Sequence, residues 1–434
     1  MLKIAMNYLR GKIMLNKTKN SDPKLYQIVM NELARQKENI EMIASESTVP
    51  IEIMELSGSI FTNKTLEGYP GKRYQQGSEN ADDLELEAIK RAKELFNCEH
   101  ANIQPYSGTT ANYSVYASIL EAGDTVLSMQ LDQGGHLSHG SKANFMHHFF
   151  NFVHYPLSEQ TEQIDYDQLE VLAKGHQPKL IIAGGSAYPR LIDYERISQI
   201  AKETGAYFMV DAAHIIGLVA AGVIPSPVPY ADFVTASTTK TFSGPRSGII
   251  LCKKEHAKKV DRGVFPGALG SMHLHTMAAK CWLFNYCKTD HYQSIMSQVL
   301  KNAKALGERL EELDFRLVGG GTDTHLLLVD LRSKNISGKE LDETLNRIGI
   351  TVNKNQIPSD PLGPNETSGI RIGVTATTQR GMKENEMRDI ADIINQATIH
   401  FKEDTKLEEL EERVKDLSSR FPLYSEDDLK YLMQ

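Results

Sequence analysis

Several features are scarce in this sequence, and each scarcity argues against a class of protein. The 434 residues include four cysteines, Cys98, Cys252, Cys281 and Cys287, and none of them has the paired spacing of a metal site. Such sparse cysteines are typical of a reducing, cytoplasmic compartment. No apolar run reaches the roughly 18 residues that a membrane helix needs. We therefore expect a cytoplasmic protein with no membrane partner.

Basic residues are also in the minority. The chain has 48 lysines and arginines against 56 aspartates and glutamates, a formal net charge of −8. This balance does not favour nucleic acid or an anionic membrane surface as a partner. Internal repeats and low-complexity segments are absent from the sequence. With 41% hydrophobic residues the composition is globular, and the length predicts two or three domains.

The most informative stretch runs from residue 207 to residue 248. An apolar run begins at Tyr207 and stops at Asp211, which predicts a buried parallel strand that ends in a carboxylate. A second short strand at residues 233–235 is followed by Lys240. Because ligands of open α/β sheets bind at the carboxyl ends of the strands, Asp211 and Lys240 can face one ligand. A solvated aspartate and a surface lysine are the alternative interpretation.

An aspartate and a lysine in these positions suit pyridoxal phosphate. The lysine amine can bond to the aldehyde of that cofactor. The carboxylate can pair with the pyridine nitrogen and keep it protonated, so that the ring accepts electrons from the substrate Cα. The stretch therefore predicts a pyridoxal-phosphate site.

A phosphate site is predicted by the segment around residues 102–110. Residues 102–105 are predicted as a short strand, and the small, hydroxylated residues Ser107, Gly108 and Thr109 then open a helix. Free backbone N–H groups and hydroxyls converge at such a turn, and the helix dipole favours an anion. The same turn can also serve only as a helix N-cap.

Two histidines stand among glycines in Gly134–Gly140. A spacing of three residues between His136 and His139 is compatible with a metal pair, but neither cysteines nor carboxylates are grouped with them as further ligands. We therefore expect His136 to stack on an aromatic cofactor, and we expect no metal.

The order of the predicted elements indicates an α/β fold. Strands and helices alternate from about residue 85 to residue 255, which predicts a doubly wound, mostly parallel sheet. A long helical region runs from Thr276 to about Leu313, and the mixture of strands and helices after it predicts a smaller α+β domain. We expect an N-terminal arm and helix at residues 1–40, a large domain at 41–290 and a small C-terminal domain at 291–434.

From about residue 24 onward, the chain resembles serine hydroxymethyltransferase, a family of fold-type I pyridoxal-phosphate enzymes. The resemblance rests on stretches that follow one another in the family's order: Glu67–Tyr74, Gly134–Gly140, Ser186–Tyr188, Val210–Val219, Pro225–Ala231, Gly244–Arg246, Val352–Asn355 and Thr367–Gly373. It implies a large domain with a mostly parallel seven-stranded sheet flanked by helices, plus the smaller C-terminal domain. It also implies pyridoxal 5'-phosphate as cofactor and a small amino acid as substrate.

The resemblance gives each matching residue a role. It implies that Lys240 bonds to the cofactor, that Asp211 contacts the pyridine nitrogen and that His136 stacks on the ring. Glu67 is implied as a catalytic acid at the hydroxymethyl and folate end. The other implied cofactor contacts are Ser107, Gly108, Thr109, Ser186, His214, Ser237 and Gly270.

Substrate and subunit contacts are implied in the same way. Arg371, with Ser45, is implied to bind the substrate; a guanidinium suits bidentate pairing with an α-carboxylate. Gly270 and Ser271 stand where the family reaches across a dimer interface toward the neighbouring phosphate. A site shared in this way implies a homodimer, with a tetramer as the larger alternative.

Six places differ from the family pattern, and they concern groups around the reacting side chain. Thr239 and Tyr106 replace histidines, Thr65 and Gln75 replace tyrosines, Ser47 replaces an asparagine, and Ser271-Met272 replaces Gly-Pro. Because such groups decide which Cα bond breaks, several reactions stay open. They are serine–glycine exchange with tetrahydrofolate, a folate-free aldolase or transaldolase reaction, transamination and decarboxylation. A non-catalytic, cofactor-binding regulatory protein is the alternative from another class.

Overall fold

The computed structural model of the protein describes residues 15–433. Within the predicted N-terminal arm and helix, the structure has a helix at Pro23–Glu38. Pro23 stands at its first helical position, and Asp22 caps its N-terminus by accepting a hydrogen bond from Leu25 N (3.0 Å). The rest of the predicted N-terminal arm, residues 1–14, lies outside the described residues.

The helices alternate with strands through most of the chain. In chain order the helices are α1 (Leu15–Ser21), α2 (Pro23–Glu38), α3 (Ile51–Ser57), α4 (Glu79–Phe96), α5 (Gly108–Ile119), α6 (Tyr166–His176), α7 (Tyr194–Thr204), α8 (Ile216–Ala220), α9 (Ala257–Arg262), α10 (Leu274–Tyr286), α11 (Asp290–Glu312), α12 (Gly338–Arg347), α13 (Thr375–Gln379), α14 (Glu384–Ile399), α15 (Asp404–Ser419) and α16 (Glu426–Met433). The strands are β1 (Ile40–Glu41), β2 (Gly68–Tyr69), β3 (Lys72–Arg73), β4 (His100–Asn102), β5 (Thr125–Met129), β6 (Asn151–Tyr155), β7 (Leu180–Ala183), β8 (Tyr207–Asp211), β9 (Phe233–Ser237), β10 (Gly248–Cys252), β11 (Arg316–Leu317), β12 (Leu326–Asp330), β13 (Ile350–Thr351), β14 (Asn353–Asn355) and β15 (Gly369–Gly373).

The predicted large sheet is confirmed. It has seven strands in the order β4-β10-β9-β8-β7-β5-β6, and only β10 runs antiparallel to its neighbours. Every residue of β7 and of β10 is buried. Such strands are apolar throughout, because helices cover a mainly parallel sheet on both faces.

The prediction of a strand at residues 102–105 is wrong in its bounds. The strand is His100–Asn102, and the chain then leaves the ladder. The side-chain oxygen of Asn102 accepts a hydrogen bond from Gln104 N (3.1 Å), which takes a backbone donor that a strand would offer to its neighbour. Pro105 has no N–H to continue the pairing.

The C-terminal part contains a second, smaller sheet, as predicted. Its four strands lie in the order β11-β12-β15-β14, all antiparallel. The helical region from Thr276 to Leu313 is two helices rather than one, α10 and α11. Thr289 breaks it, since its side chain accepts a hydrogen bond from Tyr292 N (3.3 Å) and caps α11.

The segment after α2 packs on the C-terminal part of the chain. Strand β1 pairs in parallel with β13, and Arg380 donates hydrogen bonds to the carbonyl oxygens of Gln36, Lys37 and Asn39. The division of the chain at residues 40 and 290 stays a prediction. Among residues 15–433, none of the helices combines the length and the apolar character that crossing a membrane requires.

Candidate active site

A cavity of about 380 Å³ opens at the carboxyl ends of β7, β8 and β9. Ligands of open α/β sheets bind at this edge. The cavity is lined by 11 of the residues that were predicted from the sequence: Ser45, Ser107, Gly108, Thr109, His136, Ser186, Asp211, His214, Ser237, Lys240 and Arg371.

Asp211 is the last residue of β8 and is held by three donors. Its Oδ2 accepts hydrogen bonds from Asn112 Nδ2 (2.8 Å) and His139 Nε2 (3.0 Å), and its Oδ1 accepts one from Ala213 N (3.0 Å). Burial disfavours the charged form, but the bond and the charge of His139 outweigh it, so the pKa of Asp211 lies below its ordinary value. The carboxylate is therefore ionised at neutral pH inside a buried site.

Lys240 follows β9 with a backbone φ of +60°, a region that residues other than glycine rarely adopt. Strain of this kind is concentrated at functional sites. Burial lowers the pKa of Lys240 to about 8. Within residues 15–433, no hydrogen bond to its Nζ is formed. The amine therefore reaches its neutral, nucleophilic form at a lower pH than an ordinary lysine does.

The predicted phosphate turn lies at one end of the cavity. Ser107 caps α5, where its Oγ accepts a hydrogen bond from Thr110 N (3.1 Å) and Thr110 Oγ1 accepts one from Ser107 N (2.8 Å). This capping box leaves the N–H groups of the first helical residues, Gly108 and Thr109, at the cavity. A helix of 12 residues begins here, so its dipole also favours an anion.

His136 lines the same cavity, and Ser138 fixes the position of its ring. Ser138 N (3.2 Å) and Ser138 Oγ (2.7 Å) both contact Nδ1 of His136. Burial lowers the pKa of His136 to about 4, so the ring is neutral at neutral pH. A neutral ring can lie against an aromatic ligand without bringing charge to it.

Arg371 faces the cavity from β15 of the smaller sheet. Its Nη1 donates to Ser186 O (2.6 Å) and its Nε to Asn353 Oδ1 (3.1 Å). Burial lowers the pKa of Arg371 to about 10, which leaves it charged at neutral pH. These two bonds orient the guanidinium while its remaining donors stay available for a carboxylate.

Glu67 and Gly270 do not line the cavity. They lie beside each other instead: a Cβ on Gly270 would stand 3.6 Å from Glu67 Oε1. Three of the residues that depart from the family pattern surround them. Gln75 Oε1 accepts from Glu67 N (2.8 Å), and Tyr106 donates its hydroxyl to Ser271 O (2.5 Å). The catalytic role of Glu67 and the cofactor contact of Gly270 stay predictions.

Six further residues line the cavity without having been assigned a role from the sequence: Glu46, His139, Gly185, Ala213, Thr239 and Arg246. Arg246 belongs to Gly244–Arg246, one of the stretches that resemble the family, so the sequence could have marked it as a candidate site residue. Thr239 shares a hydroxyl–hydroxyl hydrogen bond with Ser237 (2.8 Å). The contact of His139 with Asp211 carries no sequence signal, because 71 residues separate them.

The reason given for expecting no metal is wrong, although the expectation itself stays a prediction. The fold brings a carboxylate to the histidine pair: ligand atoms of His136, His139 and Asp211 all lie within 4.8 Å of one another. In this arrangement, however, His139 Nε2 and Asp211 Oδ2 are already bonded to each other.

The family model for serine hydroxymethyltransferase matches residues 18–394. The chain belongs to the serine hydroxymethyltransferase family. Members of this family are pyridoxal-phosphate-dependent transferases with the fold-type I architecture, and the seven-stranded α/β sheet agrees with that fold.

The residues of the cavity fit pyridoxal phosphate. The pyridine nitrogen requires an ionised carboxylate, the aldehyde requires a reactive amine, and the phosphate is favoured by a helix N-terminus. The cavity offers Asp211, the half-buried Lys240, whose amine forms no hydrogen bond with residues 15–433, and the start of α5. Asp211, Lys240 and the turn at Ser107 would hold these groups.

Proposed function

We propose that the protein uses pyridoxal phosphate to cleave the Cα–Cβ bond of a small β-hydroxy amino acid, or to transfer the group attached there, in the manner of a hydroxymethyltransferase. The observation that carries the proposal is the meeting of Lys240, Asp211 and Arg371 at one cavity. A volume of about 380 Å³ is at the small end of ligand sites, which supports a small substrate.

Each of these side chains has a separate task in the proposed reaction. When bound, pyridoxal phosphate supplies an electron sink for the charge that develops at Cα. Arg371 binds the substrate carboxylate, Asp211 holds a proton on the pyridine nitrogen, and the Lys240 amine exchanges protons at neutral to mildly alkaline pH. A regulatory protein without catalysis would not need a lysine with a strained backbone and a lowered pKa.

We propose tetrahydrofolate as the acceptor of the one-carbon group. A groove of about 280 Å³ adjoins the cavity at His136 and Ser186. Exposed Leu131 and Leu137 line it, where they can pack on a flat ring, and Lys354 can pair with an acidic group. Folate-free cleavage of larger β-hydroxy amino acids is the second candidate, because Gln75 replaces a phenol beside Glu67.

We also propose that the enzyme is a homodimer in which Glu67 and Gly270 serve the neighbouring cavity. Both residues lie outside the cavity of their own chain. In addition, α2 exposes an apolar face, with Leu25 and Ile28 exposed by 48% and 57%. Such a face is usually covered by another surface. A cytoplasmic location is proposed from the four free, buried cysteines.

The substrate proposal is tested by incubating the cofactor-loaded protein with serine, threonine or glycine, each with and without tetrahydrofolate. Glycine formation from serine that requires tetrahydrofolate supports the hydroxymethyltransferase reaction. Glycine and acetaldehyde formed from threonine without folate support the second candidate. A protein that binds the cofactor but converts none of these amino acids contradicts the proposal.

A further inference from the structure

The buried histidine His325 lies next to His214, outside the cavity. It stands immediately before β12 and is fully buried. The two ring centroids lie 5.5 Å apart and the ring planes make an angle of 23°. Nε2 of His325 lies 3.0 Å from Ala44 O and 3.4 Å from Nδ1 of His214. This geometry determines where the hydrogens of both rings lie.

The hydrogen of His325 is on Nε2. A carbonyl oxygen only accepts, so the contact with Ala44 O requires a donor at that nitrogen. Burial lowers the pKa of His325 to about 3, so the neutral ring carries this single hydrogen. The opposite tautomer would set two lone pairs against each other at Ala44 O. It would also leave an N–H at Nδ1, which is buried without a partner.

The hydrogen of His214 is consequently on its own Nε2. Its Nδ1 faces the N–H of His325, where a second hydrogen would be repelled. Burial also lowers the pKa of His214 well below its ordinary value, so the ring is neutral. His214 lines the cavity, and none of residues 15–433 forms a hydrogen bond with its Nε2.

We propose that His325 is a positioning residue: it fixes His214 as the Nε2–H tautomer, so that His214 presents a hydrogen-bond donor to an acceptor oxygen of the ligand in the cavity. Which ligand carries that oxygen rests on the proposed function. The tautomer itself does not.

We call the contacts Ala44–His325–His214 the relay. The relay connects three parts of the chain at the site. Ala44 immediately precedes Ser45, which lines the cavity. The backbone oxygen of His325 accepts a hydrogen bond from Val374 N (3.0 Å), one residue beyond β15, the strand that carries Arg371. The donor on His214 is therefore held by the same strands that hold the substrate-binding arginine.

Ring-nitrogen NMR on the full-length protein, labelled with ¹⁵N-histidine, tests the proposal with and without pyridoxal phosphate. The signal of His214 is assigned by its loss in His214→Gln. We expect Nε2 of His214 to carry the hydrogen in both states. His325→Gln keeps an amide donor near the place of Nε2 and should preserve this tautomer, whereas His325→Asn removes the donor from that place and should give a mixture of both tautomers.

His256→Phe is the matched control, since it removes another buried histidine that packs on Phe233 and Tyr207, away from the relay. It should leave the His214 signals unchanged. A wild-type His214 that carries its hydrogen on Nδ1, or on both nitrogens, overturns the proposal even if every variant fails to fold. So does a single Nε2–H tautomer in a folded His325→Asn protein. A protein that lacks activity on amino acids but shows the expected tautomer contradicts only the proposed function.

Discussion

At the scale of single residues, Arg371 offers a test of substrate binding. Arg371→Lys keeps the charge but loses the planar pair of donors that matches a carboxylate. A hydrogen bond to a charged group contributes about 1.5–3 kcal/mol, so we expect KM for the amino acid to rise by roughly 10- to 100-fold. Steady-state kinetics with the productive amino acid measures it. Arg332→Lys, on a surface turn beside Asp330, is the control and should change neither KM nor kcat. An unchanged KM in Arg371→Lys would place the carboxylate elsewhere.

The lowered pKa of Lys240 implies that cofactor uptake depends on pH. Because burial lowers its pKa to about 8, the neutral and reactive amine becomes the main form as the pH rises through that value. We expect the rate at which cofactor-free protein takes up pyridoxal phosphate to rise between pH 6.5 and about 8 and then level off. Stopped-flow absorbance of the bound cofactor follows it. A rate that still climbs at pH 10 would mean that Lys240 titrates as an ordinary lysine.

Individual roles could be inferred from the sequence only where a residue stands at a recognisable position. Asp211 and Lys240 follow apolar strands, so their meeting at one sheet edge was predictable. The bond between His139 and Asp211 and the relay through His325 were not, because they join residues 72 and 111 positions apart. Only the packed fold brings such donors and acceptors within hydrogen-bond reach.

At the scale of elements, α10 carries a buried lysine, Lys280. The Lys280 ammonium donates to Ile103 O, Ser247 Oγ (2.9 Å) and Gly248 O (3.3 Å), and burial lowers its pKa to about 7. In the unfolded chain this group has an ordinary lysine pKa of 10.5, so between pH 7 and pH 10.5 the unfolded state binds more protons than the folded state. The contribution of Lys280 to the free energy of unfolding therefore increases as the pH rises across that window.

Lys280→Met removes this increase. We expect the wild-type protein to gain stability relative to the variant by about 1 kcal/mol per pH unit from pH 7 to pH 9, as the linkage of one proton requires. The midpoint of thermal unfolding, measured at several pH values for both proteins, gives the comparison. Lys304→Met, on the exposed face of α11, should follow the wild type. Parallel pH curves for wild type and Lys280→Met would show that Lys280 is charged when folded.

Elements with strong periodicity were predictable, whereas short or interrupted ones were not. Helices α2, α12 and α14 follow their apolar spacing closely. Strands β6 and β10 were not predicted individually. Polar residues interrupt the apolar ones in β6, and β10 is a short apolar run that resembles others in the chain. The break at Thr289 was missed because a single capping threonine inside a helical pattern gives little warning.

At the scale of the whole molecule, the proposed homodimer requires that two chains complete one site. In a dimer assembled from equal amounts of Lys240→Ala and Glu67→Gln chains, half of the dimers are mixed, and each mixed dimer has one site with both native residues. We therefore expect about a quarter of the wild-type activity from two nearly inactive proteins. Activity measured after mixing, partial unfolding and reassembly tests this. No recovery would mean that Glu67 acts on its own chain or not at all.

The role of Lys240 is tested most directly by finding the residue to which the cofactor is attached. The protein loaded with pyridoxal phosphate is reduced with borohydride, digested and mapped by mass spectrometry. We expect the cofactor mass to be fixed on Lys240 alone, and the visible absorbance of the loaded protein to be lost in Lys240→Ala. Attachment to another lysine, or an unlabelled protein after loading at saturating cofactor, would contradict it.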